Sequence, residues 1–107
     1  RFDFSHDSKL TDSQILEIEN LINEKILEDL PVTKVEMKKS DALSQGALAF
    51  FPEKYPDVTN VYEIRGFSKE LCGGPHVNST GVIGKIKITR EESAGSGVRR
   101  VYAVLST

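Results

Sequence analysis

Ser68-Lys69-Glu70-Leu71-Cys72-Gly73-Gly74-Pro75-His76 is the stretch of this chain whose residue types and spacing could do chemistry. A thiol and an imidazole four positions apart, with two glycines between them, can fold back so that both donors point at one centre, as a tetrahedral zinc ion requires. Two donors do not close a site. Structural zinc takes about four protein ligands and catalytic zinc about three plus water, so further donors have to come from elsewhere. The same pair could instead be a buried free cysteine beside a loop histidine, or a Cys-His nucleophilic pair in which the imidazole enriches the thiolate of Cys72. For the nucleophilic reading, the sequence offers no recognisable third group to orient the base. His6, the other histidine, could be a third metal donor or a solvent-facing or hydrogen-bonded side chain near a strand-like segment.

Arg99-Arg100 follows the glycine-rich run Ser93-Ala94-Gly95-Ser96-Gly97 and is the second candidate. Guanidinium forks match phosphate oxygens, and glycines allow close backbone approach. On a strand successive side chains alternate faces, so only one of the two arginines is expected to look into a given site. Paired surface charges on an edge strand are the alternative.

Composition bounds what these residues can belong to. The 107 residues are the size of one domain, and 38% hydrophobic content at this length supports burial of roughly 65% of the unfolded surface without staples. One cysteine rules out a disulfide within the chain, and no apolar run reaches the roughly 18 residues needed to span a bilayer. No secretory leader is visible either, so a soluble cytoplasmic protein without a membrane partner is expected. The net charge of −2 conceals an asymmetry: residues 1–57 sum to −5 and residues 58–107 to +3. The positive half is either chance scatter or a face for a polyanion. Arg1 opens the sequence without methionine, and strand-like patterns run close to both ends, which predicts a segment of a longer protein.

The elements that must position the candidates follow from pattern. Thr11 and Gln14 form a capping box ahead of Ile15, Ile18, Leu21, Ile22 and Ile26, so a helix is predicted over about Asp12–Asp29, stopped by Pro31. Arg1-Phe2-Asp3-Phe4, Val32–Met37, Val58–Ile64, Ile83–Thr89 and Val98–Leu105 read as strands. Ser40 is an expected N-cap for a short helix reaching Phe50, with Gly46 inside it to allow close packing, and Pro52 and Pro56 bracket a turn. The glycine-rich run at 93–97 is expected to be a flexible turn or a ligand-facing loop. The sum is class α+β, an antiparallel sheet packed against one long and one short helix in a single domain over residues 1–107.

Taken in order, Arg1-Phe2-Asp3-Phe4-Ser5-His6, Ile18-Glu19-Asn20 with Asn23, Gly46-Ala47 ahead of Phe50, Cys72-Gly73-Gly74-Pro75-His76 and Gly97-Val98-Arg99-Arg100 resemble the editing domain of alanyl-tRNA synthetase. The likeness covers nearly the whole chain; free-standing alanyl-tRNA editing proteins share it, and threonyl-tRNA synthetase carries a more distant relative. The resemblance implies hydrolysis of seryl or glycyl esters formed on the alanine tRNA, a second sieve needed because a pocket that admits alanine cannot exclude glycine by size. It implies Zn2+ held by Cys72 and His76 together with a His-x-x-x-His motif that in the family precedes Arg-Phe-Asp-Phe. That motif is absent from these 107 residues. Half a metal site, weak zinc and little hydrolysis by the isolated chain are therefore expected. Pro75 stands where the family usually has threonine, which bears on how the loop aims His76. The resemblance further implies the 3′ acceptor end of tRNA and the remainder of the synthetase as partners. Arg99 and Arg100 would meet phosphate, and the Gly73 and Gly74 amides would approach the ester as an oxyanion contact. Catalytic residues stay unassigned, and ATP belongs only to the parent enzyme's separate catalytic domain. A free-standing trans-editing deacylase and a non-catalytic tRNA-binding module are the alternative readings.

Overall fold

The structure, a computed structural model, describes residues 1–106. In chain order its elements are β1 (Phe2–Ser5), α1 (Asp12–Leu27), β2 (Thr33–Lys38), α2 (Lys39–Ser44), β3 (Val58–Ile64), β4 (Ser68–Leu71), β5 (Ile86–Gly95) and β6 (Val98–Leu105), with 3-10 turns at Pro52–Lys54 and Thr80–Ile83. The class is α+β, with the strands shared between two three-stranded antiparallel sheets, β1-β6-β5 and β2-β3-β4. Each sheet belongs to its own compact unit: Arg1–Glu28 with the chain from Ile83 onward, and Asp29–Val82. Among the described residues no helix is long and apolar enough to cross a membrane.

In the first unit, α1 begins at the expected capping box. The Gln14 amide N–H donates to Thr11 Oγ1 at 3.1 Å, and the Thr11 N–H donates to Gln14 Oε1 at 2.9 Å. The helix ends at Leu27, earlier than Pro31 requires, because Asp29 turns the backbone left-handed at φ +50°. One turn apart on α1, Glu19 and Asn23 cover the free edge of β5. Ile88 N–H donates to Glu19 Oε1 at 2.7 Å, while Asn23 both accepts from Ile86 N–H (2.9 Å) and donates to Ile86 C=O (3.0 Å). Backbone groups that would otherwise invite another strand are thereby satisfied. On the helix-facing side of the sheet, Phe2, Phe4, Ile88, Val101 and Ala103 line an apolar cavity of about 470 Å³ with Ile18 and Ile22 of α1. The glycine-rich run is the end of a hairpin and not a free loop, since β5 continues through bulges to Gly95 and β6 starts at Val98. Ile83 lies in the 3-10 turn, so β5 begins three residues later than its apolar pattern suggested.

In the second unit, Ala42, Ala47, Val61 and Leu71 form the core, with Met37, Ala49 and Tyr55 packed against it. Here α2 is shorter than expected. Lys38 and not Ser40 precedes it, and it stops at Ser44 because Gly46 adopts φ +86°. A Cβ added at Gly46 would meet nothing within 4 Å, so this glycine serves a left-handed helix end and not close packing. After it the chain leaves the helix direction and pairs with β4: Leu48 N–H donates to Lys69 C=O, and Leu71 N–H donates to Leu48 C=O, each at 2.9 Å.

Candidate functional site

Strands β3 and β4 make a hairpin closed at Arg65-Gly66-Phe67, where Gly66 supplies φ +78° and Phe67 N–H donates to Ile64 C=O at 2.9 Å. The register sets Val61 opposite Leu71 and Tyr62 opposite Glu70. Because side chains alternate across a sheet, Val61 and Leu71 enter the core while Tyr62 and Glu70 share the other face. The chain then leaves β4 and curls back over that pair. Cys72 N–H donates to Asn60 C=O at 3.2 Å, Gly74 N–H donates to Cys72 Sγ at 3.4 Å, and the Tyr62 hydroxyl donates to Gly74 C=O at 2.9 Å. The His76 imidazole lies flat on the Tyr62 ring, centroids 3.8 Å apart and planes inclined by 11°, with Nε2 at 3.9 Å from Glu70 Oε1. Tyr62 thus stacks on one candidate donor and holds Gly74, the residue whose N–H reaches the other.

Gly73 borders a cleft of about 360 Å³ whose other walls include Lys54, Tyr55, Thr59 and Asn60. Burial, and then the neighbouring Cys72 and Glu70, push the Tyr55 phenol above its ordinary value. Cys72, Gly73, Gly74 and His76 are therefore gathered on one loop of the second unit, beside a cleft of mixed polar and apolar lining. The Gly74 amide is engaged with sulfur and not turned outward. Among the described residues no three His, Cys, Asp or Glu side chains cluster as a metal cage. One sulfur and one imidazole are donors of the type zinc prefers, and they account for half of a tetrahedron. His6 belongs to the first unit, where its N–H donates to Gly97 C=O at 3.1 Å and Nε2 lies 3.5 Å from Ser8 Oγ.

Arg99 and Arg100 also lie in the first unit, on opposite faces of β6 as alternation requires. Each is held by a carboxylate fork. Arg99 donates from Nε and a terminal nitrogen to Glu91, both at 2.7 Å, and Glu91 accepts in addition from Leu10 N–H at 3.2 Å. Arg100 donates to Asp3, its cross-strand neighbour, at 2.6 and 2.9 Å. On the Arg100 side of the sheet Tyr102 donates to Glu92 at 2.7 Å, and Arg90 sits 4.0 Å over the Tyr102 ring. The Arg99 hydrogen bonds, helped by Leu10, hold the Glu91 carboxyl at about 2, and the Arg100 hydrogen bonds lower Asp3.

These shifts have a signed consequence. Both folded-state values lie below the unfolded ones, so the stability they contribute is complete above about 4.5 and is lost as pH falls towards about 2. Thermal melts of the chain should therefore show a midpoint that drops over this interval, with a flatter profile for Glu91→Gln. A midpoint indifferent to pH there would contradict the assignment.

Tyr62, Glu70 and Tyr55 did not stand out in the sequence as site residues. The usable signal was the hairpin: a three-residue turn, Arg65-Gly66-Phe67, puts position 62 opposite position 70, and a histidine six residues beyond Glu70 can return over the pair.

Residues 59–102, which include β3, β4, the Cys72–His76 loop and both arginines, match the family described as "Threonyl and Alanyl tRNA synthetase second additional domain". Over those residues the chain is similar to that domain of aminoacyl-tRNA synthetases. More particularly, its likeness to alanine–tRNA ligases extends over nearly its full length, while the chain spans less than a fifth of the relatives it matches. It is 50% identical over 105 residues to the alanine–tRNA ligase of Borrelia hermsii and 52% identical over 105 residues to that of Treponema denticola, in each case covering 98% of this chain and 18% of the relative. The Thermotoga petrophila ligase is 51% identical over 104 residues, covering 97% of this chain and 12% of the relative.

Proposed function

We propose that this chain contributes hydrolytic editing to an alanine–tRNA ligase, acting on seryl or glycyl esters at the 3′ acceptor end of the alanine tRNA. The observation that carries the reading is that Tyr62 stacks on the His76 imidazole and binds Gly74, whose N–H holds Cys72 Sγ, beside a cleft and within the matched family segment. Cys72 and His76 would hold zinc, and the remaining donors would come from the His-x-x-x-His motif of the parent sequence. When bound, zinc supplies Lewis-acid polarisation of the ester or of a water. The chain's own residues do the rest. Tyr62 and Asn60 hold the loop by hydrogen bonds, and Tyr55, Thr59 and Gly73 wall the cleft that would receive the terminal ester. Ligation with ATP belongs to a separate part of the ligase, and the remainder of that enzyme is the structural partner.

The test is deacylation of seryl-tRNA by the full-length ligase carrying this segment. Cys72→Ala and His76→Ala should each lower the rate by about 100-fold or more, because even outer partners of a metal site are worth about 10–100-fold. Alanylation should persist. Unchanged deacylation in both variants would refute the reading.

A further inference from the structure

We propose that Tyr62 and Glu70 are the positioning residues of the Cys72–His76 pair: the Tyr62 ring and hydroxyl fix the loop, and the Glu70 carboxylate keeps the imidazole proton on Nε2, leaving Nδ1 as the nitrogen offered to a metal ion. The inference rests on the reading of Cys72 and His76 as metal ligands given above.

The need for such residues follows from the loop itself. Gly73 and Gly74 give the backbone between the two donors wide conformational freedom, and Pro75 removes only part of it. Left alone, the thiol and the imidazole would rarely face one point. Tyr62 restricts both at once. It is 9% exposed and sits on the central strand of its sheet, so its own position is set by packing. Its hydroxyl donates to Gly74 C=O at 2.9 Å, the same residue whose N–H reaches Cys72 Sγ, and its ring face carries His76 at 3.8 Å.

Glu70 decides a different matter. Directly opposite Tyr62 in the ladder, it brings Oε1 to 3.9 Å from His76 Nε2. At this distance no hydrogen bond forms, but the field of a carboxylate nearer one ring nitrogen favours the tautomer with its proton there. The β3–β4 register therefore delivers two separate controls, ring orientation and tautomer, from one cross-strand pair.

The experiment uses this chain with nitrogen-labelled histidine. Ring-nitrogen NMR shifts in mildly alkaline buffer report the His76 tautomer, and titration with cobalt(II) reports joint binding through the sulfur-to-cobalt absorption band. The unsubstituted chain should show the Nε2–H form beyond the excess that a free neutral imidazole already has, and Glu70→Ala should bring it back to that free-histidine ratio. Tyr62→Phe, which keeps the ring and loses the bond to Gly74, should weaken cobalt by about tenfold, and Tyr62→Leu by about tenfold more. If Tyr62→Leu unfolds, Tyr62→Phe and Glu70→Ala still decide the matter, since both spare the Val61–Leu71 core pair. An unaltered tautomer ratio together with unaltered cobalt affinity in those two variants would overturn the proposal. Absence of the absorption band in the unsubstituted chain, which holds two of the four donors, would move the titration to the full-length ligase, where its absence would remove the metal reading instead. A tautomer shift in Glu70→Ala would then still support the positioning role, and no shift would overturn it.

Discussion

Arg99→Ala is expected to lower the unfolding free energy of the chain by about 3–5 kcal/mol, the cost of leaving a buried charge without its partner. The Glu91 side chain is 1% exposed, and three of its hydrogen bonds come from Arg99 and Leu10, so loss of the guanidinium leaves the carboxylate with the Leu10 N–H alone. Against a total of roughly 5–15 kcal/mol for a domain of this size, that is a large fraction. Arg100→Ala is the internal comparison. Its pair with Asp3 is about one-third exposed on both sides, and removal should cost only about 1 kcal/mol. Urea unfolding of the two variants separates them, and Glu91→Leu with Arg99→Met should recover most of the loss by replacing the pair with apolar volume. A cost below about 1 kcal/mol for Arg99→Ala would show that Glu91 finds water or another donor. The contrast also bears on nucleic-acid contact. Both guanidiniums are held in carboxylate forks, and a phosphate reaching the more exposed one, Arg100, would have to compete with Asp3.

Leu71→Ala is expected to cost about 2–5 kcal/mol, combining lost burial with the cavity left behind. Leu71 is 3% exposed and packs with Ala42, Ala47 and Val61, and how far Met37 and Tyr55 at the edge of this core move into the gap sets where in that range the cost falls. It is also the residue before Cys72, and its N–H closes the ladder to Leu48. The same substitution should therefore loosen the Cys72–His76 loop, seen as loss of the ring-current shift that Tyr62 imposes on His76. Chemical denaturation gives the first effect and proton NMR the second. A stable variant with an unshifted His76 would mean that the loop is held independently of the core.

How much of this was legible depended on whether a local signal set the outcome. The start of α1 was readable because a capping box and apolar spacing agree, and β3 and β6 were readable because their alternation is strong. Gly46 was misread because Ala47, Leu48, Ala49 and Phe50 prolong an apolar run that looks helical, whereas one left-handed residue ends it. Strand β4 was hidden: Ser68-Lys69-Glu70-Leu71 has no apolar alternation and is a strand only by pairing with β3. The candidate donors could be named from residue type, but their common support could not, because Tyr62 reaches them from another strand. For Arg99 and Arg100 the alternation of faces was readable, while the partners were not: Asp3 lies 97 positions from Arg100 in sequence.

The most direct test of the account is X-ray absorption at the zinc edge of the full-length ligase that carries this segment. The account requires one sulfur at about 2.3 Å with nitrogen donors at about 2.0–2.1 Å, and loss of the sulfur shell in Cys72→Ala. A zinc shell without sulfur, or one that survives Cys72→Ala unchanged, would contradict it.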